Sequence, residues 1–401
     1  MERKFLLISQ VFYPDEVSTA SLFTGLCSSL VKKGVVVEVW AGQPSYTNPT
    51  RQPKTLNYRG IKIRYLASTN FRKTSILGRF LNILTFSLSV SSRLLFSGEK
   101  IPVWTHTTYP FTGIIASLIC RSKKRKFIYI LLDIFPEGMI RLGKLSRKNR
   151  LVKLWDRMFI RSLERSDRII AIGRDIKQLV GERNPELLEK TEYIPHWHDE
   201  NIIYPVDLET NNFVAEYGLT GKFLVQYSGN MGLWNEMRAI GKAVKHSPDG
   251  VTFIFIGGGI RKEELIEEFM NNDQANVILL PFMPENRFNE SLNAAHVHLV
   301  TMKENLEGMA VPCKIYGILA AGKPVIGMVP ENSEIGLIIK EENCGILLSP
   351  GDSVGLVNAI NLLKENQELR NEMGRNSRKS FESKYKVSII ADRYKLLLES
   401  L

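Results

Sequence analysis

The chain has 401 residues, 44% of them hydrophobic, and a formal net charge of +11. That length suits two or three domains, and that apolar content can fill large cores. The four cysteines (Cys27, Cys120, Cys313, Cys344) are scattered with no CxxC pair, which argues against a disulfide framework or a zinc site and for a reducing compartment.

The first half alternates strand and helix. Phe5–Val11 reads as a strand, with no small-residue cleavage site behind it to suggest a signal peptide. Ser18–Lys33 reads as a helix capped by Ser18 or Thr19 and stopped by Gly34. Val35–Trp40 is a continuous apolar strand, and Ile61–Leu66 alternates like an edge strand. Ile76–Phe96 is a long apolar helix, interrupted by Arg79 and Arg93. The stretch between those arginines is well short of the ~20 residues a membrane span needs. It suits either a core helix or one lying in a membrane interface, with different faces serving each. Pro102–Thr105, Phe127–Leu132 and Arg168–Ile172 are further short strands with helices between them.

Residues 195–206, PHWHDENIIYPV, lack periodicity and read as a linker; His196 and His198 there are hinge residues rather than metal ligands. A second series of strands follows at Phe223–Ser228, Val251–Ile256, Val277–Leu280, Val297–Thr301, Pro324–Met328 and Gly345–Leu348. Ser380–Leu401 reads as a terminal helix. The βα alternation predicts two doubly wound α/β domains, 1–195 and 207–379, joined by 196–206 and followed by 380–401.

Charge is unevenly placed. Residues 51–150 hold 20 Lys and Arg against 3 Asp and Glu, whereas residues 201–401 hold 20 against 25. Such polarisation points to a polyanionic partner, either an anionic membrane surface or a nucleic acid. Arg72, Lys73 and Arg79 flank the apolar Leu77, Phe80, Leu81, Leu84 and Leu88, the pattern of a peripheral membrane contact.

Four loops after strands carry candidate chemistry. EGMAVPCKIYGILAAGKPVIGM (Glu307–Met328) reads as a loop, a short helix and a buried strand. Pro312 suits the first turn, Gly322 the C-cap, and Pro324 stops continuation. The helix start around Cys313 and Lys314, with Glu307 before it, suits a phosphate. YSGNMG (Tyr227–Gly232) lets backbone approach a ligand at the end of a strand. IGGG (Ile256–Gly259) precedes Arg261, which is well placed for phosphate. PFMP (Pro281–Pro284) follows the third strand of this half.

In the first half, FIYILLDIFPEG places Asp133 at the end of a buried strand, where a carboxylate is costly without a task. Asp133 is therefore the first candidate for an acid/base or acceptor-positioning group and Glu137 the second; the bland alternative is a helix cap by Asp133. His106 in THTTYP is a candidate base, although a lone histidine is more often structural. In FYPDEVSTA, Asp15 or Glu16 is a rival base, and Ser18 and Thr19 open the helix that would meet a phosphate or acceptor.

The Glu307–Met328 pattern resembles the donor-sugar signature of GT-B glycosyltransferases of family 4. Its Pro-Cys-Lys-Ile-Tyr variant resembles bacterial capsule and O-antigen transferases that add N-acetyl-fucosamine or similar sugars. The resemblance covers nearly the whole chain. It implies two Rossmann-like domains facing a central cleft, with a C-terminal helix crossing back to the first. It implies a nucleotide-sugar donor, UDP-linked, held by Gly229, Asn230, Gly257, Gly258, Arg261, Phe282, Met283, Glu307, Pro312, Cys313, Lys314 and Tyr316. The base would be held through backbone groups of the Pro281–Pro284 loop. The acceptor would be a lipid-linked saccharide on undecaprenyl diphosphate, the enzyme cytoplasmic and peripheral on the membrane, and the stereochemistry retaining. Two departures stand out. The glutamate that many members use for the nucleotide ribose is Gly317 here, and Leu233, Trp234 and Asn235 replace an Arg/Lys pair. No Asp-x-Asp cluster lies in a credible loop, so no metal cofactor is expected. Rival readings are an epimerase of the same fold, an oxidoreductase disfavoured by the lack of GxGxxG after the first strand, and a nucleic-acid binder using residues 51–150, for which no recognised module is present.

Overall fold

The computed structural model describes residues 3–43, 51–69, 71, 76–270 and 276–401, apart from the side chains of Ile76 and Arg79. These divide into two compact units, Met1–Pro195 with Val387–Leu401, and His196–Lys386.

The first unit is built on eight strands: β1 (Lys4–Ser9), β2 (Val36–Ala41), β3 (Thr55–Tyr58), β4 (Ile61–Tyr65), β5 (Val103–His106), β6 (Phe127–Leu131), β7 (Arg168–Ala171) and β8 (Thr191–Tyr193). Their order is β3-β4-β2-β1-β5-β6-β7-β8. All neighbours pair in parallel except β3, which runs antiparallel to β4. Helices cover both faces, so central strands are apolar throughout; every residue of β6 is buried. The strand order reverses between β1 and β5. Right-handed crossovers then put helix Ser18–Lys32 on one face and helices Ile76–Phe96, Pro110–Ser122 and Arg150–Arg165 on the other.

Two strands escape the sequence pattern. β3 joins β4 through Arg59 and Gly60, both at positive φ (52° and 80°), a primed hairpin turn without the usual Asn-Gly signal. β8 has three residues, too few to show alternation. The cap of the first helix also differs: Val17 holds the N-cap position, not Ser18 or Thr19, and supplies no side-chain bond.

The second unit contains β9 (Phe223–Ser228), β10 (Val251–Ile256), β11 (Val277–Leu280), β12 (Val297–Thr301), β13 (Val325–Met328) and β14 (Gly345–Leu348). They form one parallel sheet in the order β11-β10-β9-β12-β13-β14. One face buries Val225, Tyr227, Phe253, Phe255 and Leu299 against Leu356 and Ile360. The other buries Leu224, Ile254 and Ile256 against Phe213 and Ala294. Here the order reverses between β9 and β12.

The stretch after Ser380 is not one helix. Phe381–Tyr385 forms a π turn with both aromatic rings buried, Lys386 is extended, and helix Val387–Glu399 follows. That last helix belongs to the first unit. It packs on Ser18–Lys32 and is pinned by Lys33–Asp392 and Arg3–Glu399 ion pairs, each 2.7 Å. The 196–206 stretch is ordered by burial of Trp197 and Ile203 and by the His198 amide, which donates to the Tyr385 carbonyl at 3.1 Å.

Candidate functional sites at two sheet switch points

Ligands of open α/β sheets bind beyond the carboxyl ends of strands where the strand order reverses. In the second unit, that point lies beyond β9 and β12. The turn after β9 and the turn after β10 interlock through backbone. The Gly229 amide donates to the Ile256 carbonyl (2.8 Å), the Met231 amide to Gly258 (2.8 Å), and the Arg261 amide back to Met231 (3.0 Å). Gly229 and Gly257 both have positive φ (126° and 124°), and a Cβ on Gly257 would collide with the Gly229 carbonyl. Only glycine allows this approach.

Asn235 holds the far end of the turn. Its Oδ1 accepts from the Gly232 amide at 2.9 Å, and its Nδ2 donates to the Thr301 carbonyl at 3.1 Å. The Lys303 amide donates to the Trp234 carbonyl at 2.8 Å. Residues that stand in place of the cationic pair of the resembling family thus tie the β9 turn to the end of β12. The sequence signal was an asparagine inside a glycine-rich turn, a residue type suited to bonding nearby backbone.

Lys314 is the centre of this site. Its ammonium lies 3.4 Å from the centroid of the Tyr227 ring, and its Nζ would stand 3.3 Å from a Cβ on Gly229. The Nζ is buried and has no hydrogen-bond partner among the described residues. A cation–π contact is worth about 0.5–2 kcal/mol, less than the cost of stripping water from an ammonium. Burial accordingly pushes its pKa down to about 7. The Tyr227 hydroxyl, buried and held well above its usual range, donates to the Asn230 carbonyl at 2.9 Å.

Helix Lys314–Ala320 has seven residues, so the charge at its start rests chiefly on the lysine rather than on a long dipole. It starts after Pro312, whose carbonyl receives the Ile315 amide. Its end is as expected: Gly322 has φ 66°, its amide donates to Leu319, and the Lys323 amide donates to Ile318, a Schellman closure. Pro312 and Cys313 are half-buried beside the lysine; Glu307 is half-buried in the turn between Asn305 and Gly308, both at positive φ.

Two expected donor contacts are corrected, Tyr316 and Met283. Tyr316 is fully buried, edge-on to Tyr385 at 5.0 Å, and is a core residue. Met283 packs against the Leu224–Ile254 core, while its neighbour Phe282 turns outward, 60% exposed, with its ring edge 3.2 Å from a Cβ on Gly257. Arg261 pairs with Glu264 through Nη1 at 2.6 Å, while its buried Nε has no hydrogen-bond partner among the described residues. Beyond Gly317, a Cβ would meet Ile203 and Leu292 at 3.4 Å and His198 at 3.6 Å, an apolar wall. His196 is buried and His198 half-buried, and desolvation lowers both to about 4.

The first unit's switch point lies beyond β1 and β5, with β6 alongside. His106 is buried there, stacked on Phe23 at 4.9 Å, and its Nε2 lies 2.8 Å from Ser9 Oγ. The Ser9 hydroxyl donates to the Val11 carbonyl, so the imidazole donates to Ser9. Of the acidic pair after β1, Asp15 is buried and Glu16 exposed. The charge of Asp15 helps hold the phenols of Tyr65 and Tyr109 above their usual range, after burial itself. Ser18 is exposed and Thr19 half-buried.

Asp133 and Glu137, four residues apart, have opposite environments. No side-chain bond reaches the Asp133 carboxyl among the described residues, and burial raises it to about 6. Its backbone is fixed by Thr107, whose Oγ1 accepts from the Leu132 and Asp133 amides at 2.9 and 3.0 Å. Asp133 caps no helix; the next begins at Glu137. Glu137 is gripped by Arg147 (2.5 Å), Arg183 (3.1 Å) and Arg141 (3.4 Å). It is a buried structural anion, not an available acid or base.

The outer face of helix Ile76–Phe96 leaves Leu77, Phe80, Leu84 and Leu88 exposed. Arg72, Lys73 and the Arg79 side chain lie outside the described residues. Among the described residues no helix is long and apolar enough to cross a membrane, and no group of three or more His, Cys, Asp or Glu is placed to hold a metal ion.

Residues 211–380 match the family model of glycosyl transferases, group 1. The chain is 29% identical over 243 residues to the "Probable glycosyltransferase WbjE" of Pseudomonas aeruginosa, 60% of each chain. It is 23% identical over 266 residues to the "O-antigen chain mannosyltransferase C" of Escherichia coli, covering 64% of this chain and 66% of that one. The chain thus spans less than two thirds of the length of these curated relatives. Among solved structures, sucrose-phosphate synthase from Thermosynechococcus elongatus has a TM-score of 0.80 at 16% identity, covering 99% of this chain and 98% of that one. Anabaena HepE in complex with UDP-glucose has 0.74 at 16%, covering 99% and 100%. WaaG, a glycosyltransferase involved in lipopolysaccharide biosynthesis, has 0.71 at 13%, covering 98% and 99%. The fold is GT-B: two Rossmann-like units, the second containing the residues that match the group 1 glycosyl transferase model.

Proposed function

We propose that this chain is a glycosyltransferase of family 4. It moves a sugar, an N-acetylated deoxyhexosamine such as N-acetyl-L-fucosamine, from a UDP-sugar to a lipid-linked saccharide on undecaprenyl diphosphate. The product belongs to O-antigen or capsule polysaccharide, and the enzyme works peripherally on the cytoplasmic face of the membrane. The names of the two curated relatives support the polysaccharide context, and a UDP-sugar complex of a fold neighbour supports the donor class.

The observation that carries the reading is Lys314: a buried ammonium with no hydrogen-bond partner among the described residues, beside the Gly229 backbone at the sheet's switch point. A buried cation without an anion is costly, and a diphosphate would relieve that cost. In the reaction the bond from the anomeric carbon to the diphosphate oxygen breaks and one to an acceptor hydroxyl oxygen forms. Charge develops on the leaving diphosphate. Lys314 and the backbone of the Gly229–Gly232 turn are preorganised to meet it, and such electrostatic preorganisation is commonly the largest catalytic contribution. Phe282 offers an open ring face on which the uracil can stack. In the first unit Asp133 orients the acceptor hydroxyl and takes its proton. The sugar keeps its anomeric configuration, and Lys314 takes the charge-balancing role without a metal, so chelator leaves turnover unchanged.

Lys314→Ala tests the reading. A charged hydrogen bond is worth about 1.5–3 kcal/mol, so UDP affinity by calorimetry falls about 10- to 150-fold with the melting temperature of the free protein unlowered. Unaltered UDP affinity would place the donor site elsewhere.

A further inference from the structure

We infer that the outward face of three first-unit helices, Ile76–Phe96, Pro110–Ser122 and Arg150–Arg165, is a docking surface for an anionic lipid leaflet, with Arg150–Arg165 as its second principal contact. The inference deepens the reading above, on which the lipid-linked acceptor rests.

The three helices form one layer. Pro110–Ser122 packs against both of the others, and the crossovers place all three on the same side of the sheet. Each turns one face inward. Ile76–Phe96 buries Phe86, Val90 and Leu94; Arg150–Arg165 buries Val152, Phe159 and Leu163. Each also leaves apolar side chains on the outside: Leu77, Phe80, Leu84 and Leu88 on the first, Leu118 on the second, Leu151 and Leu154 on the third. The first helix is therefore apolar on two opposite sides, and among the described residues one of them is packed and the other exposed. Exposed apolar surface of this extent marks an interaction site.

Charge selects the partner. Arg150, Lys153, Arg157 and Arg161 are all exposed, at the helical spacing that puts them on one strip with Leu151 and Leu154. From Lys100 to Arg165 the acids are Asp133, Glu137, Asp156 and Glu164. Asp156 is paired with Arg183 at 2.7 Å, and Glu164 is exposed in the last turn of the third helix, past its four exposed cations. Glu137 is neutralised by three arginines, and Asp133 sits at the sheet end. Separated leucines on convex helices, with cations between them, do not form a groove for a protein segment. They match an interfacial helix, with its apolar side at the acyl boundary and its cations among phosphates. Each basic side chain near an anionic leaflet contributes about fivefold in partitioning.

The experiment uses the full chain with phosphatidylcholine vesicles, with and without a phosphatidylglycerol fraction, and UDP calorimetry on every variant. Wild-type protein sediments with the anionic vesicles at low salt and is released as salt rises. The triple variant Lys153→Glu, Arg157→Glu, Arg161→Glu loses partitioning by on the order of a hundredfold, and Leu151→Ser with Leu154→Ser loses several-fold, both with UDP binding intact. Equal binding to neutral vesicles, or unchanged binding of the triple variant, would overturn the inference. So would a dimer in ultracentrifugation that the leucine variants dissociate, which would make the face an interface between copies. Vesicle binding without UDP binding instead defeats the donor assignment and leaves the docking surface standing.

Discussion

The two switch points have the same sheet geometry and opposite fillings. Beyond β9 and β12, backbone dominates: glycines at positive φ, interlocked turns, and one lysine whose charge meets no anion among the described residues. Beyond β1 and β5, side chains dominate: His106 is consumed by Ser9 and Phe23, and Asp15 lies among tyrosines. The first arrangement suits a ligand that brings its own negative charge. The second suits a neutral hydroxyl, met by the Asp133 carboxyl, which no side-chain bond reaches among the described residues. A parallel sheet supplies the place for a site, and the local charge balance decides what the place can hold.

Asp133→Asn is the strongest attempt to break this contrast. If the carboxylate takes the acceptor proton, kcat falls by about 10²–10⁴, with UDP affinity kept. Because burial raises its pKa to about 6, wild-type activity climbs as pH rises through that value. The stability sign is opposite: the folded chain binds more protons between the ordinary value near 3.8 and about 6, so this group lowers stability as pH rises through that window. A variant with wild-type turnover moves the role to Asp15. Glu137→Gln comes next. Removing one partner from a buried ion cluster costs about 3–5 kcal/mol, read by denaturant unfolding. Turnover per folded molecule stays near wild type; a selective loss of turnover would restore Glu137 as a reacting group.

Much of this was legible in the residues. All six strands of the second unit lie within a residue of where their apolar runs put them: the central strands are buried on both faces, and the half-buried edge strands β11 and β14 are continuous hydrophobic tracts as well. Gly322 announced its own C-cap. What escaped was direction. Tyr316 sits in the loop-helix motif, yet its position on the helix turns it into the core; Phe282 and Met283 are adjacent in the loop after β11, one exposed and the other packed on the core. Glu137 reads as a candidate second to Asp133, since the arginines that neutralise it come from four to 46 residues away in the chain. The Arg150–Arg165 face carries a weak sequence signal because its exposed leucines are two, Leu151 and Leu154. Only the packing of Val152, Phe159 and Leu163 shows which side is outward.

The smallest expected effect is the most specific to the second unit. In the free protein Lys314 holds its proton only up to about pH 7. A bound diphosphate stabilises the ammonium and raises that value. Above pH 7 the free protein is neutral at this nitrogen, and binding must draw a proton from solution. UDP affinity therefore falls about tenfold per pH unit above 7, until the pKa of the complex is reached. Calorimetry at pH 8 in two buffers of different ionisation heat should show uptake of nearly one proton. The unfolded chain holds this proton up to about 10.5, so between 7 and 10.5 it binds more protons than the folded one, and apo stability gains from this group as pH rises. Saturating UDP removes that gain by restoring the proton to the fold. Lys314→Arg keeps a charge that does not titrate here and should flatten both profiles. Proton uptake that persists in the arginine variant would assign the titrating group to another residue and remove the lysine from the centre of the donor site.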